Sequence, residues 1–281
     1  MIEEIIVSGL ILGGLYSLLS IGFSLIYGVA RTLNLAHGAL YLLSAYLIYS
    51  LLPLGLGLAI IISLVLIVLI GLVIYRLFIG PLREKESRAV VVTFALALVI
   101  QESIKLIFGP EIKSIPNLIT GFSTVLGVRV VNQKLLALVI ALVITTALWF
   151  FIQRTKPGKA IRAVTQNMEV ARLVGINIRR VLMMSMGISV LLAGFAAVLF
   201  APVYFIEPTG WTILFAAFPA VILGGLGSIK GSFVAAFILA FSEKIVEFTV
   251  GGGYIVSIVT FAILIATLFI RPTGLFGKSS Q

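Results

Sequence analysis

Long apolar runs, separated by short stretches rich in Arg, Lys, Gly and Pro, make up most of the chain. The first run, Ile5 to Ala30, follows Glu3 and Glu4 rather than a basic segment. It is also longer than the apolar part of a cleaved leader, which predicts a retained helix. Gly38 to Tyr75 carries no formal charge over 38 residues. At 1.5 Å per residue that is ~57 Å of helix, nearly twice the ~30 Å of bilayer hydrocarbon, so the segment must cross twice. Pro53 to Gly57 supplies the turn, which leaves Gly38 to Leu52 short for a span and a candidate for a broken or re-entrant element. Further runs are Val90 to Phe108, Leu135 to Phe151, Val181 to Ala201, Thr212 to Ile229, Ser232 to Phe248 and Tyr254 to Ile270. Ser232 to Phe248 is the weakest, because Glu243, Lys244 and Glu247 make its last turns polar. The pattern predicts an all-α polytopic membrane protein of about eight or nine transmembrane helices, one domain over residues 1–281.

Composition agrees: 61% of residues are hydrophobic and only 11% charged, where soluble domains carry about a quarter. All ten acids are Glu, there is one His, and Cys is absent. Asp-rich Mg²⁺ chemistry, zinc hydrolysis and disulfides are therefore excluded, and no catalytic or metal-binding set is expected. The net charge of +10 has a topological explanation. With the N-terminus outside and nine crossings, the inner loops hold Arg31, Arg76, Arg83, Lys85, Arg88, Arg154, Lys156, Lys159, Arg162, Arg172, Arg179, Arg180, Lys230, Arg271 and Lys278. The outer loops hold Lys113, Arg129 and Lys134, while Lys105 and Lys244 fall in spans. Fifteen against three predicts an external N-terminus and a cytoplasmic C-terminus. The charge then faces anionic lipid, and no nucleic-acid partner is needed.

Two loops exceed a connector's needs. The cytoplasmic segment 153–180 has seven basic residues and one acid, Glu169, yet many apolar ones. The spacing predicts an amphipathic helix at roughly Lys159 to Val174, with Pro157-Gly158 as a breaker before it. Such a helix either lies on the membrane with its Arg side chains snorkelling or offers an apolar strip to another protein. The external loop 109–134 is too apolar to be only solvated, with Ile112, Ile115, Leu118, Ile119 and Phe122; it packs on a pathway mouth or receives an external partner.

Within the spans, Glu102 has Lys105 three residues on, which fits a structural bridge and a pathway site equally. His37, at the break between two runs, fits an interfacial cap or a transport role. Gly9-x-x-x-Gly13 and Gly227-x-x-x-Gly231 suit close helix packing. Neither Gly224 to Gly231 nor Gly277-Lys278-Ser279 has the spacing of an ATP-binding loop, since Pro272 stands where the latter needs Gly. ATP-driven work would need another subunit. A self-contained channel or secondary transporter would instead need carboxylates near midplane, and Glu102, Glu243 and Glu247 fall toward span ends.

The run Gly13 to Gly28, followed by Leu33-Asn34-Leu35-Ala36-His37-Gly38, resembles the opening of branched-chain amino acid ABC-transporter permeases of the H type. Gly158 to Asn167 with Ala171, Gly175, Ile176 and Asn177 resembles that family's coupling loop, and Pro219 to Ser228 and Arg271 to Gly277 match too. Sugar, nucleoside and urea or amide importers share the broader fold. The resemblance implies a permease in a prokaryotic plasma membrane. Its implied partners are a second permease, identical or homologous, two ATPase subunits and an extracytoplasmic solute-binding protein. It makes Gly158, Lys159, Arg162, Glu169, Ala171, Gly175 and Asn177 the ATPase-coupling residues, although Val170 replaces an Ala of the usual Glu-Ala-Ala pattern. A zwitterion with an apolar tail calls for neutral polar groups along its route, for which Tyr16, Ser17, Ser20, Asn34 and Gln101 qualify, beside His37 and Glu102.

Overall fold

The computed structural model describes residues 1–82 and 86–277; Arg83, Lys85 and Lys278, counted above among inner basic residues, lie outside the described residues. The helices are α1 (Ile2–Ala30), α2 (His37–Leu51), α3 (Leu56–Ile74), α4 (Glu86–Phe108), α5 (Asn132–Arg154), α6 (Lys156–Gln166), α7 (Met168–Leu173), α8 (Ile178–Phe200), α9 (Trp211–Gly224), α10 (Ile229–Thr249) and α11 (Tyr254–Ile270). A two-stranded hairpin, β1 (Phe122–Val125) and β2 (Val128–Val131), pairs Phe122 with Val131 in the loop after α4. Among the described residues, six helical segments are long and apolar enough to cross a membrane: Ile2–Ala30, His37–Leu54, Leu56–Leu82, Glu86–Phe108, Asn132–Arg154 and Ile178–Phe200. The 21 residues of α10 have the length, but Lys230, Glu243, Lys244 and Glu247 dilute its apolarity.

The expected turn forms where Pro53 lies in a short 3₁₀ segment, Leu52–Leu54, and Gly55 takes φ 93°. The expected run Thr212 to Ile229 is not one helix. Its helical part stops at Gly224, because Gly225 and Gly227 adopt φ 97° and 83° and turn the chain into α10. With 14 residues, α9 covers only ~21 Å, and α2 with 15 only ~22 Å. Their first turns touch: a Cβ on Gly38 would lie 2.6 Å from the Gly210 carbonyl oxygen and 2.7 Å from Leu214 Cβ.

At the centre stands α1, buried at every residue from Ile11 to Ile26, with α5, α8, α9 and α10 around it. Gly9 and Gly13 do not bring backbones together as their spacing suggested. They make room for the rings of Phe241 and Phe237 on α10, and a Cβ at Gly9 would come within 2.6 Å of the Phe241 ring. Backbones do approach at the C-terminal end of α1, where Gly28 meets Gly227 and Gly224 meets Gly231. The outer helices bury narrow stripes at i, i+4 spacing: Ala59, Ser63, Ile67 and Gly71 on α3, Ala89, Thr93, Ala97 and Gln101 on α4, and Gln133, Ala137 and Ala141 on α5. Small and polar residues face inward while Val, Leu and Phe face outward. Lipid solvates apolar side chains as well as a core does, so close contact decides which residues go inside.

Candidate functional site

Local capping shapes the basic segment 153–180. Thr155 Oγ1 accepts from Gly158 N–H at 3.1 Å and starts α6, with Pro157 inside the first turn. Pro157-Gly158 therefore begins the helix rather than breaking the chain ahead of it. Gly158 is packed so tightly on the end of α5 that a Cβ would lie 2.5 Å from Ile152 Cα. The expected single helix from Lys159 to Val174 is two, because Asn167 leaves helical geometry and its Oδ1 accepts from Glu169 and Val170 N–H at 3.0 Å each. Gly175 closes α7 at φ 82°, and Asn177 Oδ1 accepts from Arg180 N–H at 3.0 Å to begin α8.

This bracket is anchored inward by Ile161, Val164 and Ala171, all buried. Arg162 is turned inward too, donating to Gln153 Oε1 at 2.8 Å. Arg31 donates to the Thr165 carbonyl at 3.0 Å and ties the end of α1 to α6. Outward it presents Val170, Leu173 and Val174 at 53%, 85% and 71% exposure, beside exposed Lys159, Glu169 and Arg172. An apolar patch with a charged rim on a rigid support suits a protein partner.

The residues expected along a pathway are distributed over three places. Tyr16, Ser17 and Ser20 lie in buried α1 contacts: Tyr16 Oη donates to Glu243 at 2.8 Å, Ser17 to the Gly14 carbonyl at 2.8 Å, and Ser20 to the Ser232 carbonyl at 3.3 Å. Asn34 and His37 are buried where the chain re-enters the bundle. Asn34 Oδ1 accepts from Ala36 N–H at 3.2 Å, and His37 Nδ1 lies 3.4 Å from Ser189 Oγ. Gln101, 2% exposed, accepts from Gly210 N–H at 3.0 Å and so holds the start of α9. Glu102, its neighbour, points away and pairs with Lys105 at 2.7 Å on the exposed side.

Glu243 lies six residues from the end of α10, toward a helix end as expected, yet it is buried. Its carboxylate is 8% exposed and accepts from Tyr16 and from Thr260 Oγ1 at 2.9 Å, joining α1, α10 and α11. At the start of α5, Gln133 Nε2 donates to the Leu199 carbonyl at 3.1 Å while its Oε1 accepts from Leu118 N–H at 2.9 Å. Lys113 and Ile206 exchange backbone hydrogen bonds, so loop 109–134 is strapped to the segment leading into α9. Of its apolar residues Ile115 is buried, while Ile112 and Phe122 are each 59% exposed.

The profile of the family described as branched-chain amino acid transport system / permease component matches residues 5–268. The chain belongs to this family. The high-affinity branched-chain amino acid transport system permease protein BraD of Pseudomonas aeruginosa is 29% identical, covering 97% of this chain and 95% of that protein. LivH of Escherichia coli K12, which carries the same description, is 28% identical over 96% and 94%. Among solved structures, PsaBC from Streptococcus pneumoniae in complex with Fab is similar in fold, with TM-score 0.54 and 14% identity over 98% of each chain. The protein is thus a multi-pass membrane permease component of a transporter.

In this permease the sequence concealed two polar anchors, Glu243 and Thr93. Thr93 Oγ1 accepts from Leu35 N–H at 3.2 Å and seats the re-entering chain. The available signal for both was a polar residue in line with small ones at three- or four-residue spacing, as in Ala89, Thr93, Ala97 and Ala236, Ala240 before Glu243.

Proposed function

We propose that this permease is the membrane-spanning subunit of an ATP-driven importer for the branched-chain amino acids Leu, Ile and Val, in the plasma membrane of a prokaryote. The chain crosses nine times, with its N-terminus outside and its C-terminus inside. It works beside a second permease, is driven by two ATPase subunits below, and receives substrate from an extracytoplasmic binding protein. The observation that carries the coupling is the bracket of α6 and α7. Rigidly capped at Thr155, Asn167 and Asn177, it exposes Val170, Leu173 and Val174 beside the ends of α5 and α8.

A partner that grips this bracket moves α5 and α8 directly, and through them α1. Closure and opening of the ATPases then become a rigid-body change that exposes the buried polar groups to one side or the other. Tyr16, Ser17, Ser20, Asn34, His37 and Gln101 are the proposed pathway residues, neutral as a zwitterion with an apolar tail requires. Glu102, paired with Lys105 on the exposed side, fits the structural bridge instead. Gly158, Lys159, Arg162, Glu169, Ala171, Gly175 and Asn177 build the coupling bracket: Lys159 and Glu169 on its rim, the others in its frame.

One observation favours a second reading. A self-contained secondary transporter needs a buried carboxylate, and Glu243 is one. Reconstitution separates the two. ATP-dependent leucine uptake by the co-purified permease and ATPase complex, with ribose and urea failing to compete, supports the importer. Flux by this chain alone in ATP-free liposomes, abolished in Glu243→Gln, overturns it.

A further inference from the structure

A cleft of about 600 Å³ opens on the inner side between the end of α5, α6 and the start of α10, lined by Trp149, Gln153, Arg154, Lys159, Arg162 and Lys230. Four of these six are cationic and none is acidic. Among the described residues no carboxylate lies within ion-pair distance of any of the four, so none of these residues compensates their charge. Arg162 is held in place by Gln153, and its Nε is buried without a hydrogen-bond partner. Four positive charges held around one concavity repel one another unless an anion sits among them.

The position of the cleft selects the anion. Trp149 and Phe150 belong to a helix whose exposed face, with Val139 and Val143, is apolar, and they lie one turn before Arg154. The Arg154 guanidinium lies over the Phe150 ring, 6.0 Å from its centroid, reaching from the apolar zone toward the polar one. A Trp at this boundary beside a basic cluster marks the headgroup layer of the inner leaflet. We propose that this cleft is a binding site for the phosphate headgroup of an anionic phospholipid, which bridges α6 to α5 and α10. A phosphate offers each cation an oxygen, Arg162 Nε gains a partner, and the acyl chains run along the apolar face of α5. Free phosphate carries at least as much negative charge as a lipid phosphodiester but gains nothing from Trp149 or from the helix faces.

The test uses the detergent-extracted transporter complex, exchanged into nanodiscs of phosphatidylcholine with or without phosphatidylglycerol or cardiolipin. Native mass spectrometry then counts the lipids retained. Anionic lipid should be retained over phosphatidylcholine, and Arg154→Gln with Lys230→Gln should lower that retention about tenfold, as for loss of two charge-assisted contacts. Arg154→Lys with Lys230→Arg should keep it. If the double Gln variant does not assemble, Lys230→Gln alone, at the exposed head of α10, is read in the same way. Equal retention in the Gln variants, or phosphatidylcholine held as well as the anionic lipids, overturns the proposal. Displacement of the lipid by millimolar inorganic phosphate also overturns it and assigns the cleft to a soluble anion.

Discussion

Tyr16 and Glu243 lie 227 positions apart in the chain and share a buried hydrogen bond. A carboxylate in an apolar bundle is tolerated only when its oxygens are occupied, and Tyr16 and Thr260 each supply a donor. Tyr16→Phe should therefore destabilise the detergent-solubilised permease by about 1–2 kcal/mol, read as a lower unfolding midpoint, since a membrane reference state moderates such losses. A midpoint equal to wild type would show that the bond contributes nothing. Gly158 is a second single-residue determinant. Gly158→Ala drives a methyl into the backbone of Ile152, so α6 must lift off α5. The expected cost is about 1–3 kcal/mol, together with reduced recovery of ATPase subunits in affinity purification.

Among the elements, α7 is short, yet it and its C-cap carry the most exposed apolar pair of the α6–α7 bracket, Leu173 and Val174. Leu173→Glu with Val174→Glu leaves the permease interior untouched, because both side chains already face outward at 85% and 71% exposure. Membrane insertion and yield should match wild type, while ATPase association weakens at least about tenfold, as for loss of a central apolar anchor. Normal association would move the docking surface elsewhere, to α6 or the rim charges. Periodicity found this segment but merged its two helices, since the apolar spacing runs on past Asn167. Only the capping bonds of Asn167 mark the break, and a capping Asn reads in sequence like any other polar residue. The C-terminal end of α9 was missed for a similar reason: hydrophobicity continues smoothly into Gly224 to Ile229, while backbone geometry does not.

For the whole molecule, the charge asymmetry of the loops is a statement about orientation that the chain itself makes easy to check. The native sequence has no Cys, so an introduced thiol is the only one in the permease. Gly252→Cys, in the turn between α10 and α11, should react with a membrane-impermeant maleimide on intact cells. Val174→Cys, at the end of α7, should react only after permeabilisation. The opposite pattern would invert the topology. An odd number of crossings follows if a tag at the N-terminus is reached from outside and one at the C-terminus from inside.

The apolar runs, their lengths and the unequal Arg and Lys content of the loops were readable directly from the chain, because partition into a bilayer depends on the summed hydrophobicity of ~20 residues and on loop charge. The basic amphipathic segment and the turn at Pro53 were readable for similar local reasons. Which face of each helix turns inward was not. In lipid an outward Leu costs nothing, so hydrophobicity carries no such signal, and the arrangement follows from small residues meeting bulky ones on other helices, as Gly9 meets Phe241. The burial of Glu243, the grip of Gln101 on Gly210 and the gathering of Arg154, Arg162 and Lys230 around one cleft all join residues distant in sequence. Tertiary packing alone brings such groups together.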